Sequence, residues 1–221
     1  RSAGGDLLIA GNIRLHPRVS IVTTVYDRVD CLAHCIRSVR RQRFCDYEHI
    51  VVSDAPPPDV VSRIGTLVHS FNDERISYIN LHERHNNWGI APAAEGLRRT
   101  RGEYVAFLSD DNGYTPEHLA TLVGVLDQYP ELGFAYSSCR YAGRLVLRHP
   151  VPAPARIDLG QPMFRRELFT RHLDDDLPFQ MMAWDWALID SFVQRGVRWR
   201  HVDVASFVFR LARYPQLMVR A

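Results

Sequence analysis

The chain has 221 residues, 46% of them hydrophobic, which suits one sizeable core, and its formal charge is only +2. So small a charge offers no nucleic-acid footprint, and no apolar window is long enough for a transmembrane segment. All 27 basic residues are arginine, which excludes Schiff-base chemistry and any phosphate-gripping lysine but leaves many guanidinium forks suited to phosphate.

Residues 1–10 lack the long apolar centre of a signal peptide, so the expected location is cytoplasmic. The cysteines, Cys31, Cys35, Cys45 and Cys139, do not form the close pairs of a zinc site and read as reduced core thiols. In chain order, Val19 to Val25 is β-branched and apolar and predicts a strand; Asp30 then caps a helix with Leu32, Cys35, Ile36 and Val39 at helical spacing. Ile50 to Val52 predicts a second strand, running into Ser53-Asp54. Prolines 56 to 58 open a helix carrying Val60, Ile64, Leu67, Val68 and Phe71, and Ile76 to Asn80 predicts a third strand. A polar loop from His82 to Gly89 leads into a helix from Pro92 to Arg99, and Gly102 resets the chain for a fourth strand over Glu103 to Ser109.

Thr115-Pro116-Glu117 reads as an N-cap with proline at the first helical position, ahead of Leu119, Leu122, Val123 and Leu126. Strands alternating with helices predict an α/β fold with a largely parallel, doubly wound sheet. From Gly133 the rhythm changes. Phe134 to Ser138 and Leu145 to Leu147 predict a hairpin, followed by the proline-rich connector Pro150 to Pro154. A helix over Ala183 to Gln194 stops at Gly196, and Val197 to His201 predicts another strand. The tail from Val204 to Ala221 reads either as a packed strand and lid or as a segment that orders only on ligand binding.

Three acidic positions carry chemistry. Asp110-Asp111 ends the apolar fourth strand, and in open α/β sheets ligands collect beyond the carboxyl ends of such strands. Two carboxylates there can hold a hard divalent cation that bridges phosphate oxygens, although Asp-Asp-Asn-Gly is also ordinary turn chemistry. Asp54 reads as an acceptor for a ribose hydroxyl or as a cap before Ala55-Pro56; Asp185, at the start of a late helix, reads as a helix cap.

Four motifs stand in order: Val19-Ser-Ile-Val-Thr-Thr-Val-Tyr26, Tyr47-Glu-His-Ile-Val-Val-Ser-Asp54, Gly102-Glu-Tyr-Val-Ala-Phe-Leu-Ser-Asp-Asp-Asn112 and Trp184-Asp185-Trp186. In that order and spacing the chain resembles the family 2 glycosyltransferases of the GT-A fold over roughly Arg18 to Gly196, with a pattern nearest to the spore-coat polysaccharide nucleotide-diphospho-sugar transferases. The resemblance implies a mostly parallel central sheet with a smaller antiparallel acceptor-side sheet. It also implies an N-terminal extension (1–18), a nucleotide-sugar-binding half (19–132) and an acceptor-side half (133–221) of one domain. The implied reaction is inverting transfer of a sugar from a UDP- or dTDP-type donor to a hydroxyl of a saccharide or glycoconjugate. Thr24, Val25 and Tyr26 would line the nucleoside, with the Tyr26 ring on the base, and Asp54 would accept from base or ribose. Asp110 would face the ribose, Asp111 would hold Mg2+ or Mn2+, and Asp185 would be the general base, its flanking tryptophans desolvating it and stacking on a sugar.

The chain departs from the family in two places. Ala93-Ala94-Glu95 stands where an Ala-Arg-Asn sequence is common, and the histidine often found after the last core strand has only His201 as a counterpart. These departures keep a second reading open, a non-catalytic sugar-nucleotide-binding or scaffold domain. A nucleotidyltransferase fits poorly, because Thr24 to Arg28 is not a glycine-rich basic loop. Arg84, Arg210 and Arg213 are candidate diphosphate neutralisers that also read as surface charges, and Asp174-Asp175-Asp176 is a rival acidic cluster that reads as a solvated loop.

Overall fold

In a computed structural model, residues 16–170 and 184–210 are described. Strands β1 (Val19–Val25), β2 (Tyr47–Ser53), β3 (Ile76–Asn80) and β4 (Tyr104–Ser109) alternate with helices α1 (Val29–Arg40), α2 (Pro58–Ser70) and α3 (Ile90–Arg99). Then follow β5 (Gly113–Tyr114), α4 (His118–Gln128), β6 (Phe134–Tyr141), β7 (Arg144–Val146) and β8 (Pro162–Arg165). Helices α5 (Glu167–Thr170) and α6 (Trp184–Gln194) and strand β9 (Trp199–Val208) complete the described chain. The strands form one nine-stranded sheet in the order β3-β2-β1-β4-β8-β6-β9-β5, with β7 paired to β6. β1 to β4 are parallel, as the alternation predicts, and β8, β7 and β5 pair antiparallel, so the antiparallel strands continue the central sheet instead of forming a separate smaller one.

Only residues 110–112 join β4, in the middle of the sheet, to β5, at its far edge. Three residues span at most about 11 Å, whereas β8, β6 and β9 lie between the two strands and each spacing is roughly 4.8 Å. The sheet must therefore curl back on itself, and the Asp110-Asp111 turn sits at the seam.

Both faces of β1 and β4 are covered, which explains their unbroken apolar runs. On one face Val19 and Ile21 pack with Cys35 and Val39 of α1 and Leu119, Leu122 and Leu126 of α4. On the other, Val22, Val105 and Phe107 pack with Ala93 and Leu97 of α3 and Leu188, Ile189 and Phe192 of α6. Phe107, Phe164, Phe169 and Phe192 meet edge-on or tilted with ring centroids 5.6–6.4 Å apart. Helix α3 approaches β1 so closely that a Cβ on Gly96 would lie 2.4 Å from Val22 Cγ1.

Several local expectations are corrected. Helix α1 already begins at Val29, so Asp30 lies inside its first turn and Arg28 takes the cap position; Asp30 still faces the positive end of the helix dipole. Helix α4 begins at His118, not at Pro116. Thr115 and Pro116 belong to a turn instead: the Thr115 amide donates to Ser206 of β9, and the Pro116 carbonyl accepts the Arg43 amide. The expected hairpin is present, closed by Ala142 and Gly143, both at positive φ, as a two-residue turn matched to the strand twist requires. β9 runs on through Val208, so the start of the tail is a packed strand; residues 211–221 lie outside the described residues, as do Asp174, Asp175, Asp176 and Arg213. Cys35 and Cys139 are buried free thiols, but Cys45 is exposed and Cys31 only partly covered, so the core reading holds for two of the four.

Candidate active site

β1 lies between β2 and β4, so the chain leaves its two sides in opposite directions and a crevice opens at their carboxyl ends. A cavity of about 380 Å³ occupies that crevice. Thr24, Val25 and Tyr26 line it from the end of β1, Asp54 from the end of β2, and Ser109 and Asp110 from the end of β4. Five of the expected nucleotide-site residues thus meet in one space. Asp111 neighbours it with its side chain 23% exposed, against 1% for Asp110.

Asp54 does more than face the cavity. Its two carboxylate oxygens accept the backbone N–H groups of His85 (3.0 Å) and Asn86 (2.9 Å), and its own amide donates to Val25. Asp54 therefore ties the loop 82–89 to the ends of β1 and β2, and its remaining lone pairs are those available to a ligand. That loop carries Asn86 and Trp88 at positive φ and closes on Gly89 at φ 85, the N-cap of α3. A Cβ on Gly89 would stand 3.2 Å from Thr24 Oγ1, so both backbone angle and space favour glycine there. Trp88 is 78% exposed at the cavity rim, and the Arg84 guanidinium lies 4.3 Å from the centre of the Tyr26 ring. Trp88 was not foreseen; an indole inside a polar loop is the only local signal.

Arg28 was missed too, although it sits two residues beyond Tyr26. Its Nε donates to Asp110 Oδ2 (3.2 Å), its Nη1 to Asp111 Oδ2 (2.8 Å), and its Nη2 to Asp110 Oδ1. Burial nevertheless pushes the Asp110 carboxyl up to about 7 against the pull of that guanidinium. Two carboxylates gathered on one cation form a hard oxygen donor set, the chemistry that suits Mg2+ or Mn2+. Among the described residues no group of three or more His, Cys, Asp or Glu could hold a metal ion. The pair fits a metal that takes one or two carboxylates and completes its shell with phosphate and water.

Asp185 lies in the first turn of α6, where its Oδ1 accepts the Trp186 amide at 2.8 Å, and Trp186 packs against the aromatic cluster under β8. The side chain of Trp184 lies outside the described residues. A further carboxylate, Asp158, comes from the loop before β8, where its Oδ1 accepts the Gly160 amide at 2.8 Å. Burial, with added repulsion from Asp185 and Asp111, pushes it up to about 6. Nothing local marks Asp158, since the Asp-Leu-Gly-Gln stretch reads as a turn.

This carboxylate gives a test of sign. Between the usual 3.8 and about 6, the folded chain holds a proton that the unfolded chain has released, so Asp158 lowers stability as pH rises through that window. Asp158→Asn is uncharged throughout. Relative to wild type it is expected to melt higher at about pH 7.5 than at about pH 3.5. Melting curves at the two pH values check this, and a difference that does not change with pH refutes the raised carboxyl.

Other expectations fall away from the cavity. His201 on β9 meets Ser138 Oγ through Nε2 at 3.0 Å and packs on Tyr136, a structural position. Arg210 contributes its backbone, donating to Asn112 Oδ1 at 2.8 Å and fastening the end of β9 to the Asp110-Asp111 turn. Ala93 is buried against the sheet, and Glu95 pairs with Arg98 and Arg99 on the surface.

Comparison with known proteins bears on the family and the fold. The family model described as glycosyl transferase family 2 matches residues 20–187. A protein of Escherichia coli strain K12 named as a colanic acid biosynthesis glycosyl transferase, WcaA, is 26% identical over 171 residues, covering 77% of this chain and 58% of the relative. A GalNAc(5)-diNAcBac-PP-undecaprenol beta-1,3-glucosyltransferase of Campylobacter jejuni is 31% identical over 107 residues, covering 48% of this chain and 34% of the relative. The chain thus spans well under two thirds of the length of either. The fold is that of the mannosyltransferase PcManGT of Pyrobaculum calidifontis, solved with GDP-Man and Mn2+, at TM-score 0.71 and 19% identity over 89% of this chain and 57% of that one. These likenesses support the family as a whole and not the narrower likeness to spore-coat transferases.

Proposed function

The chain belongs to glycosyl transferase family 2, and from that premise we propose that it is an inverting, metal-dependent transferase moving a sugar from a nucleoside diphosphate to an acceptor hydroxyl. The observation that carries this reading is the convergence of Thr24, Val25, Tyr26, Asp54 and Asp110, from three strand ends, on one cavity beside Asp111. Tyr26 offers its ring to the base, and Asp54 offers lone pairs to base or ribose while holding the loop that closes the cavity. Asp110 faces the ribose, and Asp111, the more accessible of the pair, would hold Mg2+ or Mn2+. When bound, that ion neutralises charge developing on the departing diphosphate. Similar proteins solved with UDP-GlcNAc, or with GDP-Man and Mn2+, make a nucleoside diphosphate the donor class to test.

Asp185 takes the proton from the acceptor hydroxyl as that oxygen attacks the anomeric carbon opposite the leaving phosphate. Asp158 supplies a second reading of the base, favoured by one observation: a carboxyl pushed up to about 6 is a stronger proton acceptor than an ordinary one and is still ionised at neutral pH. Calorimetry of UDP, dTDP and GDP, each with and without Mn2+, tests the donor class. At least one nucleotide is expected to bind about tenfold or more tightly with Mn2+; three nucleotides that bind equally weakly with and without the metal overturn the reading.

A further inference from the structure

Among the described residues, Arg28 is the one cation that touches both acids of the pair. Its backbone is held at the cap of α1, its side chain is 52% exposed, and it lines the cavity. Through Nε, Nη1 and Nη2 it occupies Asp110 Oδ1, Asp110 Oδ2 and Asp111 Oδ2. Asp111 Oδ2 belongs to the carboxylate that would hold a divalent cation. Two cations cannot both sit against that carboxylate at bonding distance without strong mutual repulsion, so an incoming metal turns the guanidinium away.

The direction of that turn is constrained. The N-cap position fixes the backbone end of the side chain, and Arg28 lines the cavity. A nucleoside diphosphate placed there presents paired phosphate oxygens, which suit the guanidinium fork as the two Asp110 oxygens do without metal. Arg84, the other arginine lining the cavity, is already laid over Tyr26 and donates to Asn86 Oδ1 at 3.2 Å. The chain has no lysine to take the role.

We propose that Arg28 is the resident counter-cation of the Asp110-Asp111 pair, that a divalent metal displaces it, and that the displaced guanidinium then grips the donor diphosphate. This rests on the metal-dependent reading above. Its consequence is a coupling. Metal alone binds weakly because it must break three hydrogen bonds that have no replacement, and nucleotide alone binds weakly because the fork is engaged elsewhere. Together, each frees the partner the other needs, and the coupling is equal in both directions. The start of α1 thereby supplies a diphosphate arginine, although α3 carries Ala93-Ala94-Glu95.

Binding measurements without turnover test this. Mn2+ alone, UDP alone and each in the presence of the other are titrated calorimetrically into wild type, Arg28→Gln and Arg28→Lys, with GDP run in parallel and folding checked by circular dichroism. Arg28→Gln is expected to bind Mn2+ alone about tenfold more tightly than wild type, to bind nucleotide more weakly, and to lose most of the mutual enhancement. Arg28→Lys keeps a charge but cannot span both carboxylates, so it is expected to fall between, and it carries the test alone if the glutamine variant does not fold. Variants that bind Mn2+ alone no more tightly than wild type, with the enhancement intact, overturn the role of Arg28 and leave the donor reading standing. A wild type in which Mn2+ alters neither nucleotide's binding overturns the metal-dependent reading and this inference together.

Discussion

Asp185→Asn is expected to lower kcat by about 10²–10⁴ while leaving nucleoside-diphosphate binding within roughly twofold of wild type. The substitution is close to isosteric, and an amide oxygen can still accept the Trp186 N–H that the carboxylate holds at 2.8 Å, so the first turn of α6 keeps its geometry. What is lost is basicity at the other oxygen. Asp185 does not line the nucleotide cavity, so binding and turnover should separate. Single-turnover rates with a donor that shows metal-linked binding, read beside calorimetry, make the comparison. A non-catalytic binding domain would have no turnover to lose. If Asp158→Asn abolished turnover and Asp185→Asn did not, the base would be Asp158, and kcat/KM would then fall on the acid side with an apparent pKa of about 6.

The fold was legible wherever burial was two-sided and local. Val19–Val25 is a strand to the residue because its buried β-branched run ends in polar positions, and Ile76–Asn80, a partly exposed edge strand, is legible from its β-branched and aromatic residues. β8 was not legible. A four-residue run opening on Pro162 carries no strand signal, and it becomes one only because β4 and β6 supply partners on both sides. The two-residue β5 exists for the same reason, as the far edge that the curled sheet returns to the end of β4. Capping was misread where a tertiary contact outweighed the local pattern, as at Thr115, whose amide belongs to β9.

The candidate site divides along the same line. Thr24 to Tyr26, Asp54 and Asp110 could be named because a strand end is a local feature with a general meaning in parallel sheets. Their contacts could not. That Asp54 spends two acceptor bonds on the loop 82–89 is a fact about residues 31 and 32 positions away. Arg28 and Asp110 are 82 positions apart, and in a chain with 27 arginines no spacing distinguishes the one that reaches both acids.

Asp111→Ala separates the two acids by opposite effects on one measurement. Asp111 is the accessible member of the pair and Asp110 the buried one, so the substitution opens the metal position but leaves Asp110 with its two contacts from Arg28. Without metal, a carboxylate facing a diphosphate is a repulsive charge, and removing it is expected to strengthen nucleotide binding modestly, by about two- to fivefold. With Mn2+ the same carboxylate would hold the ion that neutralises the phosphates, and its loss is expected to remove the metal-dependent gain in affinity and to cut turnover by about 10³ or more. The variant should therefore bind nucleotide better than wild type in chelator and worse in Mn2+, a crossing that general damage to the cavity would not produce. Titrations of the best-bound nucleoside diphosphate in the two buffers read it directly. Retention of the full Mn2+ enhancement would take the metal away from Asp111. Parallel losses in both buffers would make Asp111 a structural residue of the turn that joins β4 to β5, with the charge at that seam balanced by Arg28 alone.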